Sequence, residues 1–139
     1  MTQSPIQRRL VRLAGSINQK ARRLGDPERI RAEDLGRKLA DTPQCVYCGI
    51  DLDSLSASFD HQIPFDRGGT NSPSNLVACC LSCQRHKFTK LPGEFAAYQN
   101  LRVNCLVCGR DFKPRWADYR RGYGRTCSRA CAGTRGGER

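Results

Sequence analysis

The sequence predicts an α+β protein: basic helices at the N-terminus, a small middle of short strands and a helix stapled by a metal site, and a compact C-terminal module. Three observations predict it. Nine cysteines stand at 45, 48, 79, 80, 83, 105, 108, 127 and 131, mostly in the short paired spacings of metal ligands. Apolar residues recur at helical spacing near the N-terminus, while the middle reads as short apolar pieces separated by polar, glycine-rich chain. The 139 residues, of which 38% are hydrophobic with the cysteines included, leave little aliphatic material for a large core, so one small core with additions is expected.

The elements follow in order. Residues 5–24 place Ile6, Leu10, Leu13, Ala14, Ile17, Ala21 and Leu24 on one helical stripe, with Arg8, Arg9, Arg12, Lys20, Arg22 and Arg23 largely on the remaining surface. Gly25, Asp26 and Pro27 punctuate the chain. Asp26 is expected to cap a second helix with Pro27 at its first position, running to about Ala40 and packing Ile30, Leu35 and Leu39. From Cys45, strand-like pieces around Leu52 and Ala57–Asp60 lead into the loop FDRGGTNSPSN, and Leu76-Val-Ala forms a brief apolar element. Residues 82–100 read as helical, bent near Pro92-Gly93, and the final GTRGGER reads as disordered. The organisation is thus a basic helical arm over 1–44, a middle over 45–104 and a basic module with its tail over 105–139.

Net charge divides the same way: +5 over residues 1–44, zero over 45–104 and +6 over 105–139, for a total of +11. Basic flanks around a neutral middle suit a polyanion, because each Lys or Arg that neutralises a phosphate releases counterions. Arg outnumbers Lys in both flanks, and its planar fork matches phosphate geometry. Arg8, Arg9, Arg12, Arg22 and Arg23 are the candidates at the N-terminus, with Lys87, Lys113, Arg115, Arg120, Arg121 and Arg125 further on. No apolar run of about 18 residues exists to span a membrane. The first residues, MTQSPIQRRLVRLAG, lack a continuous apolar segment before a cleavage site, so a reduced, cytoplasmic protein is expected.

Cys45-Val-Tyr-Cys48 and Cys80-Leu-Ser-Cys83 are two C-x-x-C knuckles with 31 residues between them. Zinc takes four thiolates as a tetrahedron, and a site filled by four of them leaves no position for substrate, so this zinc is expected to be structural. The repeated spacing assigns Cys80 rather than Cys79, which is left spare or buried. Cys105, Cys108, Cys127 and Cys131 form a second set with 18 residues between its pairs. Those 18 residues carry six cationic side chains among Phe112, Trp116, Tyr119 and Tyr123. Aromatics among arginines can stack on bases while the arginines take phosphates; Phe112 and Trp116 are read first as the core of a small zinc module.

Between the first two knuckles stands Asp60-His61, at the end of an expected strand, and after the second knuckle stands Gln84-Arg85-His86-Lys87. A neutral imidazole takes a proton from water near neutral pH, and a carboxylate holds a hard divalent cation. Together they are the parts for metal-assisted phosphodiester hydrolysis.

In the order C-V-Y-C-G, D-H-Q-I-P, G-G, N-L-V, C-L-S-C and a following Lys, over roughly residues 28–100, the chain resembles the HNH nuclease family. That resemblance implies a ββα-metal fold. It further implies that His61 is the general base, that Asp60 binds a catalytic Mg²⁺ or Mn²⁺, that Asn75 braces the loop and helps orient the histidine, and that Lys87 contacts phosphate. The family usually carries Asn or His directly after the second knuckle as a further metal ligand. Here Gln84 occupies that position and His86 follows two residues later, so either can be the ligand, or the metal is held weakly by Asp60 and phosphate oxygens. The C-terminal pattern C-x-x-C-G-x-x-F…C-S-R-x-C is similar to small zinc fingers appended to phage-encoded HNH proteins. It implies a module that docks on DNA, a bacteriophage or mobile-element origin, and phage DNA-packaging proteins as partners. The expected function is a metal-dependent endonuclease on duplex DNA, nicking one strand as a monomer or cutting both as a dimer. The alternative is a catalytically inactive zinc module that binds DNA; a scaffold for another protein explains neither the charge nor Asp60-His61.

Overall fold

The computed structural model describes residues 2–136, and the chain divides into two compact units with the boundary between Phe95 and Ala96. The first helix, α1, spans Pro5–Arg23. Ser4 and Gln7 close a reciprocal cap, Ser4 Oγ accepting from the Gln7 N–H and Gln7 Oε1 accepting from the Ser4 N–H. Its buried face is Leu10, Ala14, Asn18 and Ala21, a stripe at helical spacing with one polar member.

The second helix, α2, spans Ala32–Asp41, so it starts later than the Asp26-Pro27 signal predicts. Asp26 does not cap it, because its carboxylate accepts the N–H groups of Glu28 and of Asn71, far along the chain. The helix starts instead where Asp34 reaches back to the Arg31 N–H at 2.8 Å. Ile30 is buried nonetheless, from an extended segment whose N–H and C=O are both bonded to the Asn18 side chain.

Strand β1, Ser58–His61, pairs antiparallel with β2, Leu76–Cys79, in a register that sets Asp60 opposite Val77 and His61 opposite Leu76. Helix α3, Leu81–Lys87, follows β2 directly and packs on β1. The helical expectation over 82–100 resolves into α3 and α4, Pro92–Gln99, with the break at Phe88, whose φ is +48°. Leu10, Ala14, Ile30, Leu35 and Leu39 from the N-terminal segment form one core with Ala57, Phe59, Leu76 and Ala78 of the hairpin. Each large apolar side chain so buried contributes roughly 1.5–3 kcal/mol, so the N-terminal helices are held to the hairpin by the same burial that holds the hairpin together.

The second unit carries the short hairpin β3, Val103–Asn104, with β4, Asp111–Phe112, then α5, Trp116–Arg120, and α6, Arg129–Gly136. Of the tail expected to be disordered, residues 133–136 belong to α6, and residues 137–139 lie outside the described residues. Among the described residues no helix is long and apolar enough to cross a membrane.

Candidate active site and metal centres

The sequence expectation of two four-cysteine centres holds. Cys45, Cys48, Cys80 and Cys83 bring their sulfurs within 4.8 Å of one another, and so do Cys105, Cys108, Cys127 and Cys131. The two leading knuckles are built alike. The Cys45 N–H donates to Ile50 O and the Gly49 N–H to Cys45 O; the Cys105 N–H donates to Arg110 O and the Gly109 N–H to Cys105 O. This tight turn needs a left-handed residue, and Gly49 and Gly109 supply it with φ of +79° and +71°.

The thiols show why these sets suit a divalent cation. Burial pushes the Cys45 thiol up, but backbone hydrogen bonds around Cys80, Cys48 and Tyr47 outweigh it and bring it down to about 7. A backbone hydrogen bond at Cys108 leads the causes that bring Cys105 down to about 6. The Cys83 thiol is pushed up, by burial first and then by Cys80, while Cys127 is pushed up to about 12, chiefly by Cys108. Each group thus holds one easily ionised sulfur beside another that its neighbours keep protonated, and Zn²⁺ is the charge that lets all four ionise. Cys79, the spare cysteine, is fully buried on β2, and burial raises its thiol out of reach of ionisation.

Asp60 and His61 end β1 and open onto a cleft of about 260 Å³, whose walls also carry Lys20 and Leu24 from α1 and its end, Phe65, Asp66, Phe88 and Thr89. The Gly68-Gly69 turn keeps the loop beyond His61 folded tightly beside it. A Cβ on Gly69 would fall 1.7 Å from Ile63 O, so only glycine fits there. The loop is clasped further by Asn75, whose Oδ1 accepts the Ile63 N–H and whose Nδ2 donates to Ile63 O and Thr70 O.

The His61 ring packs against Phe65 with centroids 4.7 Å apart, and its Nε2 lies 2.9 Å from Asn71 Oδ1. Burial lowers the imidazole below its ordinary value, against the opposing effects of the Asn71 hydrogen bond and the Asp60 charge, with Lys20 and Lys87 adding to the lowering. The ring is therefore neutral at neutral pH. Asp60 Oδ2 accepts from Tyr47 Oη at 2.6 Å and pairs with Lys87 Nζ at 2.9 Å. Burial and the Asp60 carboxylate both raise the Tyr47 hydroxyl, so it stays a donor. Asp60 Oδ1 has no hydrogen bond among the described residues.

Several sequence-predicted residues stand elsewhere than expected. Lys87 is fully buried, donating to Asp60 and to His61 O at 3.1 Å, so it is no phosphate contact but the internal counter-charge of the site. Gln84 donates from Nε2 to Phe59 O at 2.8 Å, and the His86 ring turns back to Ser82 O at 2.7 Å; neither lines the Asp60–His61 cleft. Asn75 bonds only to the loop backbone at Ile63 and Thr70, and the residue on the imidazole is Asn71. Sequence reading missed Asn71, Tyr47 and Asp66 as members of the site, and Lys20 as part of its wall. Asn18 did leave a signal: it is a polar residue on the buried stripe of an amphipathic helix.

On α1, Arg8, Arg12, Arg22 and Arg23 are exposed, whereas Arg9 is half-buried. In the second unit Arg115, Arg120, Arg121, Arg125 and Lys113 are exposed. There Trp116 packs between Tyr98 and Tyr119 at centroid distances of 5.5 and 6.4 Å, and Lys113 Nζ lies 4.3 Å from the Tyr98 ring centre. Trp116 is thus half-buried among rings, as its reading as module core expects.

Comparison with known families matches residues 45–100 to the HNH endonuclease family. Comparison with curated proteins found no match. The matched segment holds the first cysteine centre, the β1–β2 hairpin with Asp60-His61, and α3; it begins at residue 45, later than the roughly 28–100 over which the motifs suggest the resemblance. Residues 45–100 of this chain are thus similar to the HNH endonuclease family.

Proposed function

We propose that the chain is a metal-dependent DNA endonuclease that hydrolyses phosphodiester bonds in duplex DNA, with His61 as general base. The observation that carries this reading is the state of His61: a neutral imidazole on the wall of an open cleft, beside a carboxylate, within an HNH segment. Its Nε2 is engaged by Asn71, which leaves Nδ1 as the nitrogen to receive a proton. Water then attacks phosphorus, its proton passes to His61 Nδ1, and the P–O bond breaks with its electron pair left on the 3′ oxygen, which takes a proton from solvent.

The donor set fits a hard divalent cation at Asp60, because Oδ1 has no hydrogen bond among the described residues while Oδ2 is held by Tyr47 and Lys87. Such a cation, Mg²⁺ or Mn²⁺, supplies positive charge at the phosphate and at the departing 3′ oxygen. Tyr47 and Lys87 fix the carboxylate so that the free oxygen faces one way. Lys20, on the cleft wall without an ion pair among the described residues, offers a charge to a phosphate oxygen. DNA as the substrate is supported by the exposed arginines of α1 and of the second unit, which suit the backbone and carry no sequence information themselves.

The test is His61→Ala. Cleavage is expected to be lost while DNA affinity stays within about twofold of the parent, since the base contributes to the transition state and not to docking; undiminished cleavage removes His61 from the role. A second reading, a zinc-bearing DNA-binding module without catalysis, is favoured by one observation. The Asp60 carboxylate already has a buried ammonium partner, and neither Gln84 nor His86 joins it at the cleft. On that reading the protein binds duplex DNA and does not cleave it, whichever divalent cation is supplied.

A further inference from the structure

The hydrogen-bond donors and acceptors behind His61 can be assigned one after another, starting from backbone groups whose roles are fixed. Asn18, buried on α1, accepts the Ile30 N–H at Oδ1 and donates from Nδ2 to Ile30 O, both at 2.8 Å. A backbone N–H only donates and a carbonyl only accepts, so the orientation of the Asn18 amide is settled. The Asn18 Oδ1 also faces Asn71 Nδ2 at 3.0 Å, and the same Nδ2 lies 2.7 Å from Glu28 O. Both partners are acceptors, so this Asn71 atom is the amide nitrogen and gives one hydrogen to each. Asn71 Oδ1 is then the atom left facing His61 Nε2 at 2.9 Å, and it can only accept. His61 must carry its proton on Nε2. The Asn71 backbone is anchored as well, its N–H donating to Asp26 Oδ2 at 2.7 Å. Asn71 is fully buried and Asn18 nearly so.

We propose that Asn71 is a positioning residue: the segment before residue 45, outside the matched HNH segment, fixes the Asn71 amide through Asn18 Oδ1 and Glu28 O, and Asn71 sets the tautomer and orientation of His61 and so presents Nδ1 to the cleft. This rests on the reading of His61 as the general base for its catalytic meaning, though not for its structural content. A neutral histidine free in water favours the Nε2–H form only modestly and rotates its ring. The Ile30–Asn18–Asn71 relay removes both freedoms before substrate arrives, which is preorganisation of the base. It also explains why a polar side chain stands on the apolar stripe of α1: every side-chain polar atom of Asn18 and Asn71 has a partner, as a buried network requires.

The test reads the tautomer directly. Two-bond ¹H–¹⁵N spectra of the zinc-loaded full chain distinguish a protonated from an unprotonated ring nitrogen, and His86→Gln leaves a single histidine, so assignment is unambiguous. The expected spectrum at neutral pH shows one tautomer, with the proton on Nε2. Asn71→Ala, which removes the acceptor on Nε2, is expected to give a mixed tautomer and about a tenfold lower kcat with KM for DNA unchanged, whereas Asn18→Ala keeps the single tautomer because Glu28 O still holds the Asn71 amide. A proton on Nδ1 in the parent protein, or a tautomer indifferent to Asn71→Ala in a variant that keeps its zinc and folded spectrum, overturns the proposal. Should Asn71→Ala fail to fold, the parent spectrum alone decides. The expected tautomer in a protein that cleaves no DNA sinks the nuclease reading and leaves the relay standing.

Discussion

A lysine ammonium buried away from water costs several kcal/mol unless a counter-charge and acceptors surround it. Lys87 has both: Asp60 Oδ2 at 2.9 Å and His61 O at 3.1 Å, with the Tyr47 ring at 5.8 Å. Removing one partner of such a pair leaves the other's charge uncompensated, so Lys87→Met is expected to lower stability by about 3 kcal/mol, read as a fall in the urea midpoint; an unchanged midpoint would mean that the pair holds nothing together. Gln84 and His86 make the opposite case, since their side chains are engaged by Phe59 O and Ser82 O. Gln84→Ala and His86→Ala are expected to leave the Mg²⁺ concentration for half-maximal cleavage within about twofold, because neither reaches the cleft and one backbone hydrogen bond is worth only about 1 kcal/mol. A tenfold shift in either variant would place that residue on the cation. The identities at 84, 86 and 87 were readable from the motif. Their directions were not, because each is decided by a backbone carbonyl or a carboxylate that only the folded hairpin brings near.

At the scale of elements, α1 does more than cover the hairpin. Its buried stripe carries Leu10, Ala14 and Ala21 to the core and Asn18 to Ile30 and Asn71, while Lys20 reaches the cleft wall. Lys20→Met is expected to reduce cleavage about tenfold, the loss of one charge near the scissile phosphate, with the melting temperature unchanged because Lys20 is exposed. Equal cleavage by the variant would take Lys20 out of the site. The apolar period of α1 was legible in the sequence and defined the helix almost to the residue. The start of α2 was not, since Asp26-Pro27 has the local form of a cap. What defeats it is a long-range competitor, the Asn71 N–H 45 positions away, together with Asp34, which caps from inside the helix. The loop between β1 and β2 is legible in part: Gly69 is required by its approach to Ile63 O, and Asn75 clasps the loop as its place in the motif implies.

For the whole molecule, each of the two compact units contains one four-cysteine group that could hold zinc, and zinc bound in each would couple metal binding to folding twice. Cys48→Ser removes a ligand from the first centre and is expected to abolish the cooperative unfolding transition of the unit that holds the cleft, measured by calorimetry; a normal transition would refute a structural role for that zinc. Both centres are legible in the cysteine spacing alone, because a C-x-x-C-G knuckle is a local object whose ligands and turn lie within five residues. The second unit is expected to add affinity through its cations. Arg115→Ala with Arg125→Ala should flatten the dependence of log K on log salt by about 2, close to one for each phosphate that is no longer neutralised. A slope left unchanged would mean that these arginines are a solvated surface.

The central claim is that His61, set beside a cation-binding Asp60, cleaves DNA. The most direct measurement is relaxation of supercoiled plasmid by zinc-loaded protein, with Mg²⁺, with Mn²⁺ and without either, beside His61→Ala. Relaxed or linear product that requires both the divalent cation and His61 is the expected result. No product under any of these conditions, from protein that retains its zinc and binds the plasmid, would contradict the claim and leave the DNA-binding module as the function.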